Sequence, residues 1–230
     1  MEIHLSPRLA AIAELIPQGS SLADVGTDHG YLPIALTEAG RLRSAVASDL
    51  RPGPLERGRQ NAIERGVSGI RFLLTDGLDG ITAADADTVV IAGMGGDTIV
   101  DILSRAPWTR ENTLLLLQPM SRTEVLRRAL PELGLAVQAE HIAEDAGKLY
   151  SILTAAGGSA RRYTAAEEYT GAYEHICSDP LFPRFVDDWL RRLKKAEAGA
   201  SRSERAADKE RGMHLHRVIE EMEKWRDNDA

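Results

Sequence analysis

Residues 24–30 read Asp-Val-Gly-Thr-Asp-His-Gly and follow directly on a short apolar run. A glycine turn in that position lets backbone approach a nucleotide, and the dinucleotide form of it is Gly-x-Gly-x-x-Gly. Here Asp28 stands where the middle glycine would be. A carboxylate there repels a pyrophosphate and attracts positive charge. The chemistry it suits is a cationic nucleoside, and S-adenosylmethionine, with its sulfonium and α-amino group, is one. Asp49 closes the next apolar run, roughly 20 residues on, where an acid accepts hydrogen bonds from ribose hydroxyls. Asp76 and Gly77 close a third. An acid there accepts from the exocyclic amine of adenine, and a glycine lets the ring pack close. Residues 92–96, Ala-Gly-Met-Gly-Gly, close a fourth and expose backbone amides and carbonyls beside the flexible, apolar Met94. Gln118 closes a fifth and offers both a donor and an acceptor to a base edge. Each of these has a plainer reading as a strand-to-helix turn.

The elements that must position these residues alternate. Helical spacing over residues 5–15 leads into a strand at 21–25. A helix at 31–39, a strand at 44–50, a helix at 54–65 and strands at 70–74 and 86–92 follow. Then come a helix at 97–105 and a strand at 113–117 that Pro119 ends. Ser121, with Glu124 three residues later, has the pattern of a capping box for a helix to 133. Strands at 135–142 and 149–154 flank a turn at 145–147 with no helix between them. That order predicts an α/β fold with a mostly parallel seven-stranded sheet, helices on both faces and an antiparallel edge. Residues 155–159 read as a hinge. Beyond it, residues 165–175, 181–198 and 201–225 read as helices, with Gly199 breaking the long pattern into a hairpin.

Composition bounds the rest. The chain has 230 residues, 43% hydrophobic and 27% charged, with net charge −7 and a single cysteine, Cys177. One cysteine allows no internal disulfide and no multi-cysteine metal site. His214 and His216 stand two apart on a helix and face away from each other, so no metal is expected. No apolar run approaches the roughly 20 residues of a membrane span. No secretory signal is read at the start, and a cytoplasmic location is expected. The acidic balance argues against coating nucleic acid by overall charge but allows a local basic patch. Arg191, Arg192, Lys194 and Lys195 form such a cluster.

The run ADVGTDHGYLP … ASD … TDG … IAGMGG … LQPM resembles the bacterial tRNA (adenine-22 N1)-methyltransferase family over nearly the whole chain. The resemblance implies a Rossmann-like S-adenosylmethionine domain, here 1–158, and a C-terminal helical, coiled-coil-like domain, here 159–230, that binds tRNA. It implies that Gly26, Asp28, His29 and Tyr31 line the methionine part, that Asp49 holds the ribose, and that Asp76 and Gly77 meet the adenine. Gly93 and Met94 would border the reacting centre. Gly95, Gly96 and Gln118 are candidates for the target base, and the tail cluster for tRNA phosphates. Asp28 is the candidate catalytic group, as a negative charge beside a product that is cationic until a ring-amine proton leaves. Two other functions stay open: methylation of a small molecule or protein, with the tail as a lid or dimer arm, and a non-catalytic nucleotide-binding module.

Overall fold

A computed structural model describes residues 3–202 and 205–228. Helix α1 (Pro7–Leu15) begins at Ser6, whose hydroxyl accepts from the backbone N–H of Leu9. Then β1 (Ser20–Val25), α2 (Tyr31–Glu38), β2 (Leu42–Asp49), α3 (Pro52–Glu64) and β3 (Ile70–Leu74) alternate. They are followed by β4 (Thr88–Gly95), α4 (Gly96–Arg105), β5 (Leu114–Ser121) and α5 (Thr123–Glu132). The hairpin β6 (Leu135–Asp145) and β7 (Lys148–Gly157) completes a seven-stranded sheet in the order β3-β2-β1-β4-β5-β7-β6. The first five strands pair in parallel, and β7 runs antiparallel to both β5 and β6. This is the Rossmann-like sheet with an antiparallel edge that the alternation predicts.

Successive residues of the central strands serve opposite layers. Val89, Ile91, Leu115 and Leu117 pack with Ile99 and Leu103 of α4 and Leu126 and Leu130 of α5. Val90 and Leu116 pack with Ile12 of α1 and with Leu32 and Leu36 of α2. Both faces are covered, which is why the runs 89–92 and 114–117 are apolar at successive positions rather than at alternate ones. Strand order reverses between β1 and β4, and that is where an open α/β sheet leaves a crevice for ligands.

The short helices α6 (Glu167–Thr170) and α7 (Tyr173–Ile176) lead to α8 (Phe182–Ala200) and α9 (Ala206–Asn228). Helices α8 and α9 run antiparallel, with Lys194 paired to Glu223 at 2.6 Å and His216 in contact with Glu197 at 2.8 Å. Phe185, Val186, Leu193, Val218 and Met222 share one core with Ile142 of β6 and Leu149 of β7. The tail therefore packs on the edge hairpin of the sheet. Among the described residues, no helix is long and apolar enough to cross a membrane, and no cluster of His, Cys, Asp or Glu could hold a metal ion.

Several expected boundaries are corrected. Pro119 does not end β5: it pairs with Met94 at an irregularity in the register, and the strand runs on to Ser121. Ser121 therefore caps nothing, and the N-cap of α5 is Arg122 at φ +56°, without a side-chain cap. Residues 155–157 are not a hinge but the end of β7, where Ala155 pairs with both Leu115 and Val137. Gly171 splits the expected helix at 165–175 into α6 and α7, whereas Gly199 lies inside α8. Helix α8 ends at Ala200 and α9 begins at Ala206, and residues 203 and 204 between them lie outside the described residues. Cys177 is half-buried.

Candidate active site

The turn after β1 is built by three left-handed residues, Gly26 at φ +70°, Asp28 at φ +54° and Gly30 at φ +70°. The Gly26 and Thr27 N–H groups donate to the Ser48 carbonyl at 2.8 and 2.9 Å. The Asp28 N–H donates to Asp49 Oδ2 at 3.2 Å, and the Arg51 N–H to Asp49 Oδ1 at 2.8 Å. The Ser48 hydroxyl donates to the Gly77 carbonyl at 3.2 Å. The ends of β1, β2 and β3 are thus laced to one another. Between them and the end of β4 lies a cleft of about 470 Å³. Small-ligand sites span roughly 300–1,000 Å³, so it has room for a nucleoside with an amino-acid tail.

Gly26, Asp28, Tyr31, Asp49, Asp76, Gly77, Gly93 and Met94 all line this cleft. Gly26 is required by its φ, which an L side chain adopts only with strain; a Cβ there would also meet the flexible terminal methyl of Met94, which can swing aside. Asp49 is buried, with its carboxylate fixed by two backbone donors. Asp76 is exposed and pairs with Arg105 at 3.2 Å, and Arg105 also engages Asp79 and Asp101. His29 is not in the wall. Its ring packs on Tyr31 at 5.4 Å, its Nε2 lies 3.6 Å from Asp28 Oδ2, and its carbonyl accepts from Asn61. It contacts two wall residues, Asp28 and Tyr31.

The expected base contacts fare differently. Gln118 is fully buried, and both ends of its carboxamide are engaged. Its Oε1 accepts from the Gly93 N–H at 3.1 Å and from Arg8, and its Nε2 donates to the Pro119 carbonyl at 2.9 Å. It holds the tip of β4 and does not present a free edge to a base. Gly96 is buried at the start of α4, where a Cβ would meet the Arg122 carbonyl; its smallness serves packing. Gly95 is the N-cap of α4 and is half-buried. In the tail, Arg191 is paired with Asp188, Lys194 with Glu223 at 2.6 Å, and Arg192 stacks over Trp189 at 5.5 Å. Lys195 is exposed on α8.

Sequence reasoning passed over three wall residues of consequence. Arg8 reaches the cleft from α1. Thr27 donates its hydroxyl to Asp24 Oδ2 at 2.6 Å. Asp24 itself lines the cleft yet is 6% exposed. Burial raises its pKa to about 6, against the lowering effect of the Thr27 hydroxyl and with a further push from Asp49. A buried carboxyl poised at that value accepts a cation readily. Its place at a strand end just before Gly-Thr-Asp was a usable signal; nothing local marked Arg8.

A largely parallel sheet with an antiparallel edge hairpin, and a carboxylate-lined cleft where strand order reverses, define a Rossmann-like methyltransferase domain. Residues 5–153 match the family model described as a methyltransferase domain. Over 231 residues the chain is 30% identical to the tRNA (adenine(22)-N(1))-methyltransferase of Bacillus subtilis, covering 96% of this chain and 95% of that protein. It belongs to the tRNA (adenine(22)-N(1))-methyltransferase family. The crystal structure of the B. subtilis m1A22 tRNA methyltransferase TrmK has a TM-score of 0.86 at 27% identity, covering 98% of this chain and 100% of that one. A Streptococcus pneumoniae protein in complex with S-adenosyl-L-methionine has a TM-score of 0.80 at 33% identity, covering 94% of this chain and 100% of that one.

Proposed function

We propose that the chain transfers a methyl group from S-adenosylmethionine to N1 of adenine 22 in tRNA, in the cytoplasm. The observation that carries this is the pair of buried carboxylates, Asp24 and Asp49, at adjacent strand ends of one cleft. Asp24 takes the ammonium of the methionine part, beside Gly26 and Tyr31. Asp49 takes the ribose hydroxyls. Asp76, held by Arg105, and Gly77 receive the adenine. The sulfonium supplies an already activated methyl, so the protein has to align N1 with it and exclude water. N1 keeps its lone pair at neutral pH and needs no deprotonation before attack. Gly93, Met94 and Gly95 border the place where the base arrives, and the base must leave its stack to reach it. Asp28, exposed on the cleft wall, offers negative charge to the cationic product as its ring-amine proton leaves.

Residues 1–158 hold the cofactor in this reading, and residues 159–230 carry the tRNA. Double charge reversal, Arg191→Glu with Arg192→Glu, is expected to weaken tRNA binding and to lower the slope of log affinity against log salt by roughly 1–2. Unchanged affinity would remove the tail cluster from the interface. Gly26→Ala is expected to weaken S-adenosylhomocysteine binding by about tenfold or more and to cost about 1–2 kcal/mol of stability. Calorimetry and urea unfolding read the two effects.

The deciding experiment incubates the protein with unmodified tRNA and methyl-labelled S-adenosylmethionine and digests the RNA to nucleosides. Label in 1-methyladenosine, lost when adenine 22 is replaced, is the expected result. Cofactor binding without label in tRNA would move the reading to a small-molecule or protein substrate. Binding of NAD alone would overturn it.

A further inference from the structure

We propose that Arg8 is the anion-binding residue of the cleft and that its ligand is the α-carboxylate of S-adenosylmethionine; this rests on the cofactor reading above. Arg8 stands in the first turn of α1, and its side chain is 18% exposed. It lines the cleft, and its Nη1 lies 3.8 Å from the point a Cβ on Gly93 would occupy. Among the described residues it is engaged by the neutral carboxamide of Gln118, by Asp145 at 3.8 Å from its Nε, and by the Tyr150 ring at 6.0 Å. A guanidinium has five N–H donors, more than these partners take up. A cation this little exposed, with one carboxylate at 3.8 Å and N–H donors to spare, is suited to an anion that arrives with a ligand.

The layout of the strands says which anion. In the sheet, β4 lies between β1 and β5. Asp24 comes from the end of β1, and Arg8 is held on the opposite flank of the β4 tip by Gln118 of β5. The cleft therefore offers a carboxylate and a guanidinium on the two sides of one strand end. An amino acid carries its ammonium and its carboxylate on the same carbon, and it needs that opposite-sign pair. The other arginine of the wall, Arg51, belongs to the ribose side: its Nε is 3.7 Å from Asp49 and its side chain is 71% exposed. One buried oxygen, Gln118 Oε1, accepts from both Arg8 and the Gly93 N–H. It fixes the guanidinium and the strand tip relative to each other, so a planar carboxylate meets a preset partner.

The test compares two ligands that differ in the amino-acid part. S-adenosylhomocysteine and 5′-methylthioadenosine share the nucleoside and an uncharged sulfur, and only the first has the ammonium and carboxylate. Calorimetry on the full chain is expected to show Arg8→Ala weakening S-adenosylhomocysteine by on the order of 10- to 100-fold while 5′-methylthioadenosine changes less than about twofold. Arg8→Lys should recover part of the loss. An equal loss on both ligands would overturn the proposal and make Arg8 a brace for Gly93. No loss on S-adenosylhomocysteine, with a lower salt slope for tRNA, would also overturn it and give Arg8 to an RNA phosphate. Retained 5′-methylthioadenosine binding shows that the variant is folded. If the wild-type chain binds neither ligand, the cofactor reading itself fails, which is a different outcome from wild-type binding that Arg8→Ala leaves intact.

Discussion

Asp24→Asn is expected to make the chain more stable at pH 7.5 and, at the same time, to weaken its hold on S-adenosylmethionine by on the order of 100-fold. Both effects come from one buried carboxyl. Burial raises its pKa from the ordinary 3.8 to about 6, opposed by the Thr27 hydroxyl and reinforced by Asp49. A shift of that size corresponds to roughly 3 kcal/mol of differential interaction. The folded pKa lies above the unfolded one, so between them the folded chain binds more protons. Stability on this account is highest below the unfolded pKa, falls as pH rises through that window, and is at its lowest above about 6. Asparagine keeps the shape and a partner for Thr27 and carries no charge. The gain from Asp24→Asn should therefore be near zero at pH 4 and level off above about pH 7. Urea unfolding across that range reads it. An ammonium ligand inverts the balance by favouring the carboxylate, so wild-type affinity for the cofactor should fall as pH drops below about 6. A gain that does not vary with pH, or cofactor binding that survives the substitution, would remove Asp24 from the site.

The second large effect lies where the tail meets the sheet. Arg127 and Glu140 are both without solvent exposure, and Nε and Nη2 of the arginine contact Oε2 at 3.0 and 2.5 Å. Nη1 donates to the carbonyls of Glu168 and Tyr169 at 3.0 and 2.8 Å. On the other side, Glu140 Oε1 accepts from the Ala172 N–H at 3.0 Å. The pair thus ties α5 and β6 to the segment that leads into the helical hairpin. Removing one partner leaves a buried charge uncompensated, which costs about 3–5 kcal/mol. Arg127→Ala should lower the melting temperature by on the order of 10 °C. The double replacement Arg127→Met with Glu140→Leu should cost less than the single one, because the uncompensated charge is gone, while the Glu168 and Tyr169 carbonyls and the Ala172 N–H still lose their partners. It should still reduce tRNA methylation more than S-adenosylhomocysteine binding, since the tail loses its polar anchor while the cleft does not. A double variant as unstable as Arg127→Ala would show that the cost lies in lost packing and unsatisfied backbone groups at 168, 169 and 172 rather than in a stranded charge.

The strands of the sheet were legible because they are buried on both faces, and short apolar runs such as residues 114–117, bounded by turn residues, fit buried strands better than helices. Their ends were less so. Pro119 reads as a stop, yet the register irregularity opposite Met94 accommodates it and lets β5 reach Ser121. Residues 155–157 read as a flexible link because small residues cluster there, yet they pair on both sides as part of β7. Small residues are ambiguous in a sequence, since looseness and tight approach ask for the same side chains.

The sequence by itself determined the alternating architecture and the acid- and glycine-bearing turns at the strand ends, and Asp28 in place of a glycine pointed to a cationic nucleoside as the ligand class. These follow from short-range pattern: burial periodicity and turn chemistry are written within a few neighbouring residues. Only the tertiary structure decided that Asp24 is buried within the wall, that Gln118 is used inside the protein, and that the His29 ring packs on Tyr31. It alone brought Arg8 to Gln118 across 110 residues of chain, and Arg127 to Glu168 and Tyr169. Those contacts depend on how α1 and the helical tail pack against the finished sheet, and that packing is set by layers meeting in space, which no local run of residues encodes.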